Sequence, residues 1–203
     1  MDTALMLAGG SSRRFGRPKA LEVVAGKTIL ARAVEAIAPL AGEVVISIAE
    51  APMAEALRHF LPRATFVTDR RRGKGPIEGL MRGIEVARGE RVLVAPCDAP
   101  LLRPDLYRLL LASLGTHDAA VPKLDVFDPV RAVYRTAAVR RILSAAKVAL
   151  PSPSSLVDRL DAVFVLEDQL RAVDPELDSF LDVNDASGLE PVLARLISTS
   201  HSA

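Results

Sequence analysis

The feature that most constrains this chain is a regular alternation of short apolar runs with amphipathic segments over residues 4–114. The runs of strand length occupy residues 4–8, 43–49, 64–68 and 91–95. The segments with helical periodicity occupy residues 28–40, 52–60, 77–87 and 103–114. Because the strands lack polar alternation, they fit a sheet that is buried on both faces. The pattern predicts an α/β fold with a mainly parallel central sheet flanked by helices, of the Rossmann-like type.

The alternation changes after residue 117. We expect strands at residues 119–122, 130–135 and 162–166, and helices at residues 137–147 and 187–197. A short helix reaching residue 160 would follow a proline-serine loop, with Ser154 or Ser155 as its N-cap. A length of 203 residues fits one domain, which we assign to residues 1–203.

The charge balance and the cysteine content exclude several classes of protein. The 26 basic and 25 acidic residues leave a net charge of +1, whereas nucleic-acid binding needs a basic excess, so no nucleic-acid partner is expected. Cys97 is the single cysteine, which rules out an internal disulfide and a cysteine-based metal site. The N-terminus lacks the basic region of a signal peptide, and no apolar stretch approaches the ~18 residues of a membrane span. We therefore expect a cytoplasmic protein with no membrane association.

The first strand is followed by a glycine-rich, basic loop, LAGGSSRRFGRPK, at residues 7–19. Open α/β sheets bind ligands beyond the carboxyl ends of their strands, where this loop is expected to lie. Gly9 and Gly10 allow backbone N–H groups to approach phosphate oxygens. Further hydroxyl donors and cations come from Ser11, Ser12, Arg13, Arg14, Arg17 and Lys19. Such a loop suits a triphosphate, whose charges need both N–H donors and cations.

Two better-known phosphate loops are absent. GxGxxG is missing because Gly9 and Gly10 are adjacent and the next glycine is Gly16. A GKT sequence occurs at residues 26–28, but the Walker pattern requires a glycine where this chain has Leu21. We interpret Gly26 as a turn residue and Thr28 as a helix cap.

The first loop resembles the LAGGxSxRxGxxK signature of nucleotidyltransferases that activate sugars and cofactors. The resemblance implies a nucleotidyltransferase fold, with a nucleotide-binding half at about residues 1–115 and an acceptor-binding half at about 116–197. It implies that Arg14 and Lys19 offset charge on the triphosphate during catalysis. The nucleotide contacts implied in this loop are Leu7, Ala8, Gly9, Gly10, Ser11, Ser12 and Lys19.

The segment RVLVAPCDAPLL at residues 91–102 places Asp98 just beyond the fourth strand. A carboxylate at this edge suits Mg²⁺, which binds through one or two carboxylates plus substrate phosphates. The stretch PCDAPLLRPDL is similar to PCDTPxxxPDL of molybdenum cofactor guanylyltransferases, and this implies that Asp98 binds magnesium and the triphosphate. We interpret Cys97 as a packed residue rather than a nucleophile.

Residues 69–80, DRRRGKGPIEGL, resemble the DxxxxxGPLxGI segment of the same family. The resemblance implies that Asp69 and Gly79 contact the nucleotide, and a carboxylate can accept hydrogen bonds from guanine or ribose. The four cations of this segment form either an exposed basic loop or a flexible loop that steers anionic substrates. They are Arg70, Arg71, Arg72 and Lys74.

Two later segments also resemble the family. FLDVNDASGL at residues 180–189 is similar to FxNxNTPEDL, which implies Asn184 as a second metal ligand, with Asp182 at the first asparagine position. The alternative is an Asn-Asp cap opening the last helix. FDPVRAVYR at residues 127–135 is similar to PLxAVYR, where Tyr134 and Arg135 either contact the acceptor or serve packing.

Together these resemblances predict a Mg²⁺-dependent enzyme that transfers GMP from GTP to a phosphorylated acceptor of the molybdopterin type. LAGG in place of LAAG, and the GPIEG segment, favour GTP over CTP. Other acceptors remain open, namely adenosylcobinamide phosphate, phospholactate and sugar 1-phosphates. A non-catalytic nucleotide-binding module is a competing class, and a nicotinamide dehydrogenase is disfavoured by the missing GxGxxG. We expect a monomer or a small homo-oligomer.

Overall fold

A computed structural model describes residues 1–9, 19–71, 73–145, 150–183 and 189–200, with side chains described as far as residue 196. The strands are β1 (Asp2–Ala8), β2 (Val23–Val24), β3 (Lys27–Thr28), β4 (Glu43–Ile48), β5 (Thr65–Thr68), β6 (Arg91–Pro96), β7 (Ala119–Lys123), β8 (Ala132–Arg135) and β9 (Ala162–Leu166). The helices are α1 (Ile29–Ile37), α2 (Ala51–Arg58), α3 (Pro76–Val86), α4 (Pro104–Ser113), α5 (Thr136–Ala145), α6 (Pro153–Val157), α7 (Glu167–Val173) and α8 (Leu189–Ser200). Short 3-10 helices occupy Lys19–Leu21, Ala38–Leu40 and Asp178–Phe180.

Among the described residues, seven strands form one sheet in the order β5-β4-β1-β6-β8-β7-β9. β8 pairs antiparallel with both β6 and β7, and the other neighbours pair parallel. The prediction of a mainly parallel sheet flanked by helices is confirmed. Because β8 runs against its neighbours, the other six strands end at the same edge of the sheet, which we call the carboxyl edge.

The sheet is covered on both faces, as its apolar strands require. On β1, Ala4, Met6 and Ala8 belong to a core cluster that includes side chains of α1, α2, α4 and α7. The alternate residues Leu5 and Leu7 belong to the cluster on the other face, formed with α3, α5 and α6. Successive side chains of a strand point to opposite faces, so a continuous apolar run serves both helical layers.

Helix starts follow local chemistry. The Thr28 hydroxyl accepts a hydrogen bond from the Ala31 N–H at 3.1 Å, so its predicted role as the α1 cap is confirmed. Gly26 has φ of 80°, a left-handed turn conformation that favours glycine. The prediction of Ser154 or Ser155 as the cap of α6 is wrong. Pro153 occupies the first helical position, which suits proline, so Ser152 becomes the cap and exchanges hydrogen bonds with Ser155.

The second half contains elements that the sequence did not indicate. α7 directly follows β9, and α6 ends at Val157 rather than at residue 160. A small third cluster joins Val24 and Ile29 to Val183 and Val192, which attaches the C-terminal helix near the β2–β3 hairpin. None of the helices in the described parts of the chain has the length and hydropathy needed to span a bilayer.

Candidate nucleotide-binding site

Backbone hydrogen bonds bring several loops together at the carboxyl edge. The Cys97 N–H donates to the Leu7 carbonyl at 3.1 Å, which extends the pairing of β1 and β6 into the loops that follow. The Asp69 N–H donates to the Ile48 carbonyl at 3.0 Å. A stretch that we call the C-terminal segment, residues 178–183, joins them, because the Val183 N–H donates to the Asp98 carbonyl at 2.9 Å. These bonds fix the positions from which polar side chains project.

Lys19 and Asp98 meet at this edge. The Lys19 Nζ lies 2.7 Å from Oδ2 of Asp98, and the two side chains are 16% and 19% exposed. The contact joins the end of the first loop to the loop after β6, as the sequence predicted for a site shared by both. The Asp98 carboxylate is thus accessible to a cation, and here an ammonium group neutralises it. The catalytic roles of both residues and the metal-binding role of Asp98 stay predictions.

Asp69 lies on the other side of β1. Its Oδ1 accepts a hydrogen bond from the buried Ser47 hydroxyl at 3.2 Å. A Cβ at Gly9 would lie 2.8 Å from Asp69 Oδ2, so the carboxylate packs closely against the Gly9 backbone and a side chain there would displace it. Burial raises the pKa of Asp69, the Ser47 hydrogen bond opposes that rise, and the charge of Glu78 adds to it. The structure therefore brings together the predicted nucleotide residues Gly9 and Asp69.

Three other predicted nucleotide residues have core environments. A Cβ at Gly79 would lie 2.8 Å from the Ser47 Oγ and 3.4 Å from Cδ2 of Leu7, so α3 packs closely on the sheet here. Leu7 and Ala8 are 8% and 2% exposed and face opposite cores. Packing thus accounts for their side chains, and a contact of Leu7 or Ala8 with a nucleotide would come from the backbone.

The basic loop after β5 is held by carboxylates of α3. Glu78 is 2% exposed, accepts a hydrogen bond from the Arg70 N–H at 3.1 Å and pairs with Arg71 at 2.8 Å. Arg70 also pairs with Glu85 at 3.1 Å, while Lys74 is exposed. Two of the loop's cations are therefore engaged in fixing the loop that starts at Asp69.

Asp182 is held by a buried arginine. Arg131 donates from Nη2 to Asp182 and from Nη1 to Asp128, and its side chain is 4% exposed. Burial raises the pKa of Asp182, Arg131 opposes the rise, and the negative charge of Asp98 adds to it. Asp182 therefore lies within electrostatic reach of Asp98, as the resemblance of residues 180–189 to a site segment implied.

Cys97 and Tyr134 are packed residues. Burial raises the pKa of the Cys97 thiol to about 12, and the charge of Asp98 adds to the shift, so the thiol stays protonated at neutral pH and is no nucleophile. Tyr134 is fully buried and donates to the Pro129 carbonyl at 2.6 Å. Arg135 donates to the His117 carbonyl at 2.9 Å. The packing alternative for Tyr134 and Arg135 thus accounts for both side chains.

Several predicted residues lie outside the described residues. They are Gly10, Ser11, Ser12, Arg13, Arg14 and Arg17 of the first loop, Arg72 of the basic loop, and Asn184. In the described ranges there is no group of three or more His, Cys, Asp or Glu side chains that could hold a metal ion. A magnesium ion held by Asp98 would take its remaining ligands largely from substrate and water, as this ion commonly does.

The sequence reasoning missed three residues that organise the site. They are Ser47, Glu78 and Arg131. Ser47 had a signal, since it is the single polar residue inside the apolar run VVISIA. Arg131 had a signal as well, because it is a charged residue directly before the apolar residues AVY of the predicted strand. Their partners lie 22 and 51 residues away in the chain, so spacing could not name them.

The topology and the polar carboxyl edge define the class of this protein, a Rossmann-like α/β domain with the nucleotidyltransferase architecture. Residues 4–163 match the protein family described as "MobA-like NTP transferase domain". The chain belongs to this family.

Relatives and solved structures agree with that membership. A probable molybdenum cofactor guanylyltransferase of Methanosarcina acetivorans is 31% identical over 208 residues, covering 96% of this chain and 91% of that protein. The Methanosarcina mazei protein of the same description is 32% identical over 200 residues, covering 94% and 89%. The crystal structure of molybdopterin-guanine dinucleotide biosynthesis protein A from Archaeoglobus fulgidus superposes with a TM-score of 0.80 at 26% identity, covering 98% of this chain and 100% of that one.

Proposed function

We propose that this chain is a guanylyltransferase that moves GMP from GTP onto the phosphate of a molybdopterin-type acceptor, with release of pyrophosphate. The observation that carries the proposal is the contact of Lys19 with Asp98 at 2.7 Å. It joins a cation for the triphosphate to a carboxylate for a metal, at the edge of the sheet where Gly9 follows β1. The relatives described as molybdenum cofactor guanylyltransferases cover nearly the whole chain and support the choice of GTP and acceptor.

The proposed chemistry needs no protein nucleophile. The acceptor phosphate would attack the α-phosphorus of GTP in line, forming a P–O bond as the bond to pyrophosphate breaks. The chain's own residues act by positioning and charge compensation. Lys19 and Arg14 would offset charge on the triphosphate. Asp69 would accept hydrogen bonds from the nucleoside, against the backbone of Gly9.

Magnesium fits the donor chemistry of this edge. Asp98 supplies a partly exposed carboxylate that already contacts an ammonium group, and hard cations prefer such oxygen ligands. We propose Asp98 as the protein ligand, with Asn184 as a second one. When bound, the ion would polarise phosphoryl oxygens and stabilise the charge that develops during transfer. The proposal also sets the reaction in the cytoplasm, where GTP is available.

The test is transfer of labelled GMP from GTP to molybdopterin, with the dinucleotide and pyrophosphate measured together. We expect transfer by the wild-type chain with magnesium, and loss of activity in a chelator. Asp98→Asn should lower kcat by about 100-fold or more, on the scale seen when one stabilising group is removed from an active site. Asp105→Asn is the matched control, because Asp105 is an exposed partner of Arg108.

Two results would contradict the proposal. A wild-type chain that binds GTP but transfers no GMP would instead be a nucleotide-binding module. An Asp98→Asn variant with wild-type turnover would remove the carboxylate from the chemistry. Labelled CTP, run in parallel, would show a cytidylyltransferase if it were the better donor.

A further inference from the structure

Arg131 is a buried arginine that the proposed chemistry does not use. It directly precedes β8, whose first residue Ala132 pairs with Val94 near the end of β6. A guanidinium that is 4% exposed needs its charge compensated by its surroundings. Burial alone would lower the pKa of Arg131, and the carboxylates of Asp128 and Asp182 more than offset this and raise it. The side chain is therefore a permanently charged group inside the protein.

Most of its partners belong to the C-terminal segment. Arg131 donates from Nε to the Ser179 carbonyl at 2.8 Å and from Nη2 to the Asp182 carboxylate. The Phe180 ring centroid lies 5.5 Å from its guanidinium carbon. Among the described residues, Asp128 at 2.6 Å is its local partner. One side chain thus fastens a remote stretch of chain to the sheet.

Arg131 contacts both ends of the segment, and the Asp182 end is the one that touches the site. Val183 follows Asp182 and donates its N–H to the Asp98 carbonyl at 2.9 Å. The opposite end has separate supports, because Arg103 donates its N–H to the Ser179 hydroxyl at 3.0 Å and Arg195 pairs with Asp178 at 2.8 Å. Loss of Arg131 would therefore remove the charged anchor of the Asp182 end, while the Asp178 end keeps its own ion pair.

We infer that Arg131 is a positioning residue for the transfer reaction, acting through the C-terminal segment on Asp98. Its planar guanidinium binds the Ser179 carbonyl and the Asp182 carboxylate at the same time. This keeps Asp182 and the Val183 N–H against the loop that bears Asp98. Lysine cannot bind both acceptors in the same way, because it lacks the planar set of donors that guanidinium presents. The inference rests on the proposed function, since it assigns Asp98 to the metal.

The test measures Mn²⁺ affinity by electron paramagnetic resonance, with the chain saturated by a non-hydrolysable GTP analogue. It also measures kcat and KM for GTP separately. Outer-shell partners of a metal site typically change metal affinity or activity by about 10- to 100-fold when they are removed. We expect Arg131→Met to weaken Mn²⁺ binding and lower kcat by about 10-fold or more. KM for GTP should change little, because Asp69 is held by Ser47 and Ile48 on the other side of β1. Arg131→Lys should be intermediate.

Arg131→Met leaves two carboxylates without a cation and could fail to fold, so Asp182→Ala provides a second test. It removes the anchor without leaving an unpaired charge on the segment, and it should show the same loss of Mn²⁺ affinity and kcat. Asp128→Asn is the matched control, because it alters the local partner of Arg131 without touching the segment. Its Mn²⁺ affinity and kcat should stay close to wild type.

Three results would overturn the inference. A folded Asp182→Ala variant with wild-type Mn²⁺ affinity and kcat would do so. So would an Arg131→Lys variant that differs from wild type only in thermal stability. An equal loss of Mn²⁺ affinity in Asp128→Asn would mean that general destabilisation is the cause. A wild-type chain that binds Mn²⁺ and the analogue but transfers no GMP would contradict the proposed function, while the Mn²⁺ measurement would still test the inference.

Discussion

At the scale of single residues, the carboxyl edge is organised by charges that are neutralised in pairs. The pair nearest the proposed chemistry is Lys19 with Asp98. Each is proposed to bind a charged ligand, Lys19 the triphosphate and Asp98 the metal ion. An ammonium group in contact with a carboxylate competes with a divalent cation for it, since both rely on the same attraction. Nucleotide that draws Lys19 toward its phosphates would leave Asp98 available to a metal.

This competition gives a prediction for Lys19→Met in the protein without nucleotide. We expect the variant to bind Mn²⁺ several-fold more tightly than wild type, because the neighbouring positive charge is gone. It should bind GTP more weakly for the same reason. Titration of Mn²⁺ followed by electron paramagnetic resonance measures the first effect, and calorimetry with GTP the second. Lys27→Met, which removes an exposed lysine paired with Glu35, is the control. Weaker Mn²⁺ binding in Lys19→Met would show that the lysine assists the ion.

Ser47 and Asp69 give a second prediction at this scale, on pH. The Ser47 hydroxyl stabilises the ionised Asp69 carboxylate, whose pKa burial raises. In Ser47→Ala that support is lost, so the pKa of Asp69 should rise further. If GTP binds the ionised form, affinity falls as pH drops through this pKa, and in the variant the fall should begin at a higher pH. Calorimetric titrations with GTP across the acidic and neutral range measure it.

The control for this prediction is Ser144→Ala, because Ser144 is exposed near the end of α5 and donates to a carbonyl of its own helix. The other charges acting on Asp69 are those of Glu78 and Arg82, and both variants leave them in place. Coincident pH profiles for wild type and Ser47→Ala would show that Ser47 does not tune Asp69, or that Asp69 does not contact GTP.

At the scale of elements, the distance of α3 from the sheet is set by glycines. A Cβ at Gly83 would lie 2.3 Å from Cδ1 of Leu5, a fully buried residue of the strand β1. Gly83→Ala should therefore destabilise the fold by about 1–3 kcal/mol, as overpacking of a core typically does. The thermal midpoint should fall by roughly 2–4 °C for each kcal/mol in a domain of this size. Thermal unfolding followed by circular dichroism measures the change.

Gly42→Ala is a matched control for that prediction. Its Cβ would also lie 2.3 Å from a side-chain atom, but the atom belongs to Met1, which is 63% exposed and can move away. The two variants thus share a contact distance and differ in whether the neighbour can yield. A midpoint for Gly83→Ala at or above that of Gly42→Ala would mean that α3 has room to shift outward.

The longer strands and helices of the first half could be predicted from the sequence, because apolar runs and helical periodicity there agree with local capping. The two-residue strands β2 and β3 could not. Thr28 and Pro104 are residue types that helix starts favour, and both lie at helix starts here. The second half could not be predicted as fully. α7 follows β9 with no glycine or proline between them to indicate a break. The Ser152 cap depended on how Pro153 sits in the first turn.

Site residues could be predicted only where the glycines or the carboxylate lie in the same short segment as the strand that precedes them. Gly9, Lys19 and Asp98 could be named because they lie in loops that follow strands, and strand ends share an edge. Asp69 could be named because its segment resembles that of the family. Ser47 and Arg131 act through side chains of remote segments. Their importance follows from burial beside a partner, and a single sequence does not contain that information.

At the scale of the whole molecule, the proposed ligand would join parts of the chain that are otherwise linked mainly through the sheet. Gly9 follows β1, Asp69 follows β5, and Asp98 follows β6. Lys19 is the first residue of the 3-10 helix that precedes the β2–β3 hairpin, so the ligand would contact this part of the chain as well. A triphosphate with its metal would contact all of these in the folded chain, and the unfolded chain has no such arrangement. Ligand binding should therefore raise the free energy of unfolding.

A thermal-shift screen of GTP, CTP, ATP and UTP with Mg²⁺ tests this for the molecule as a whole. A ligand at 100 times its dissociation constant stabilises by about 2.7 kcal/mol, which corresponds to a midpoint rise of roughly 5–10 °C in a domain of this size. We expect that rise for GTP with Mg²⁺, and a smaller one for GTP in a chelator because the metal contact to Asp98 is lost. Asp69→Asn should reduce the difference between GTP and the other nucleotides, since its carboxylate is the proposed base or ribose contact. Equal shifts for all four triphosphates would mean that the site holds phosphates without selecting the base, and a larger shift for CTP would reassign the donor.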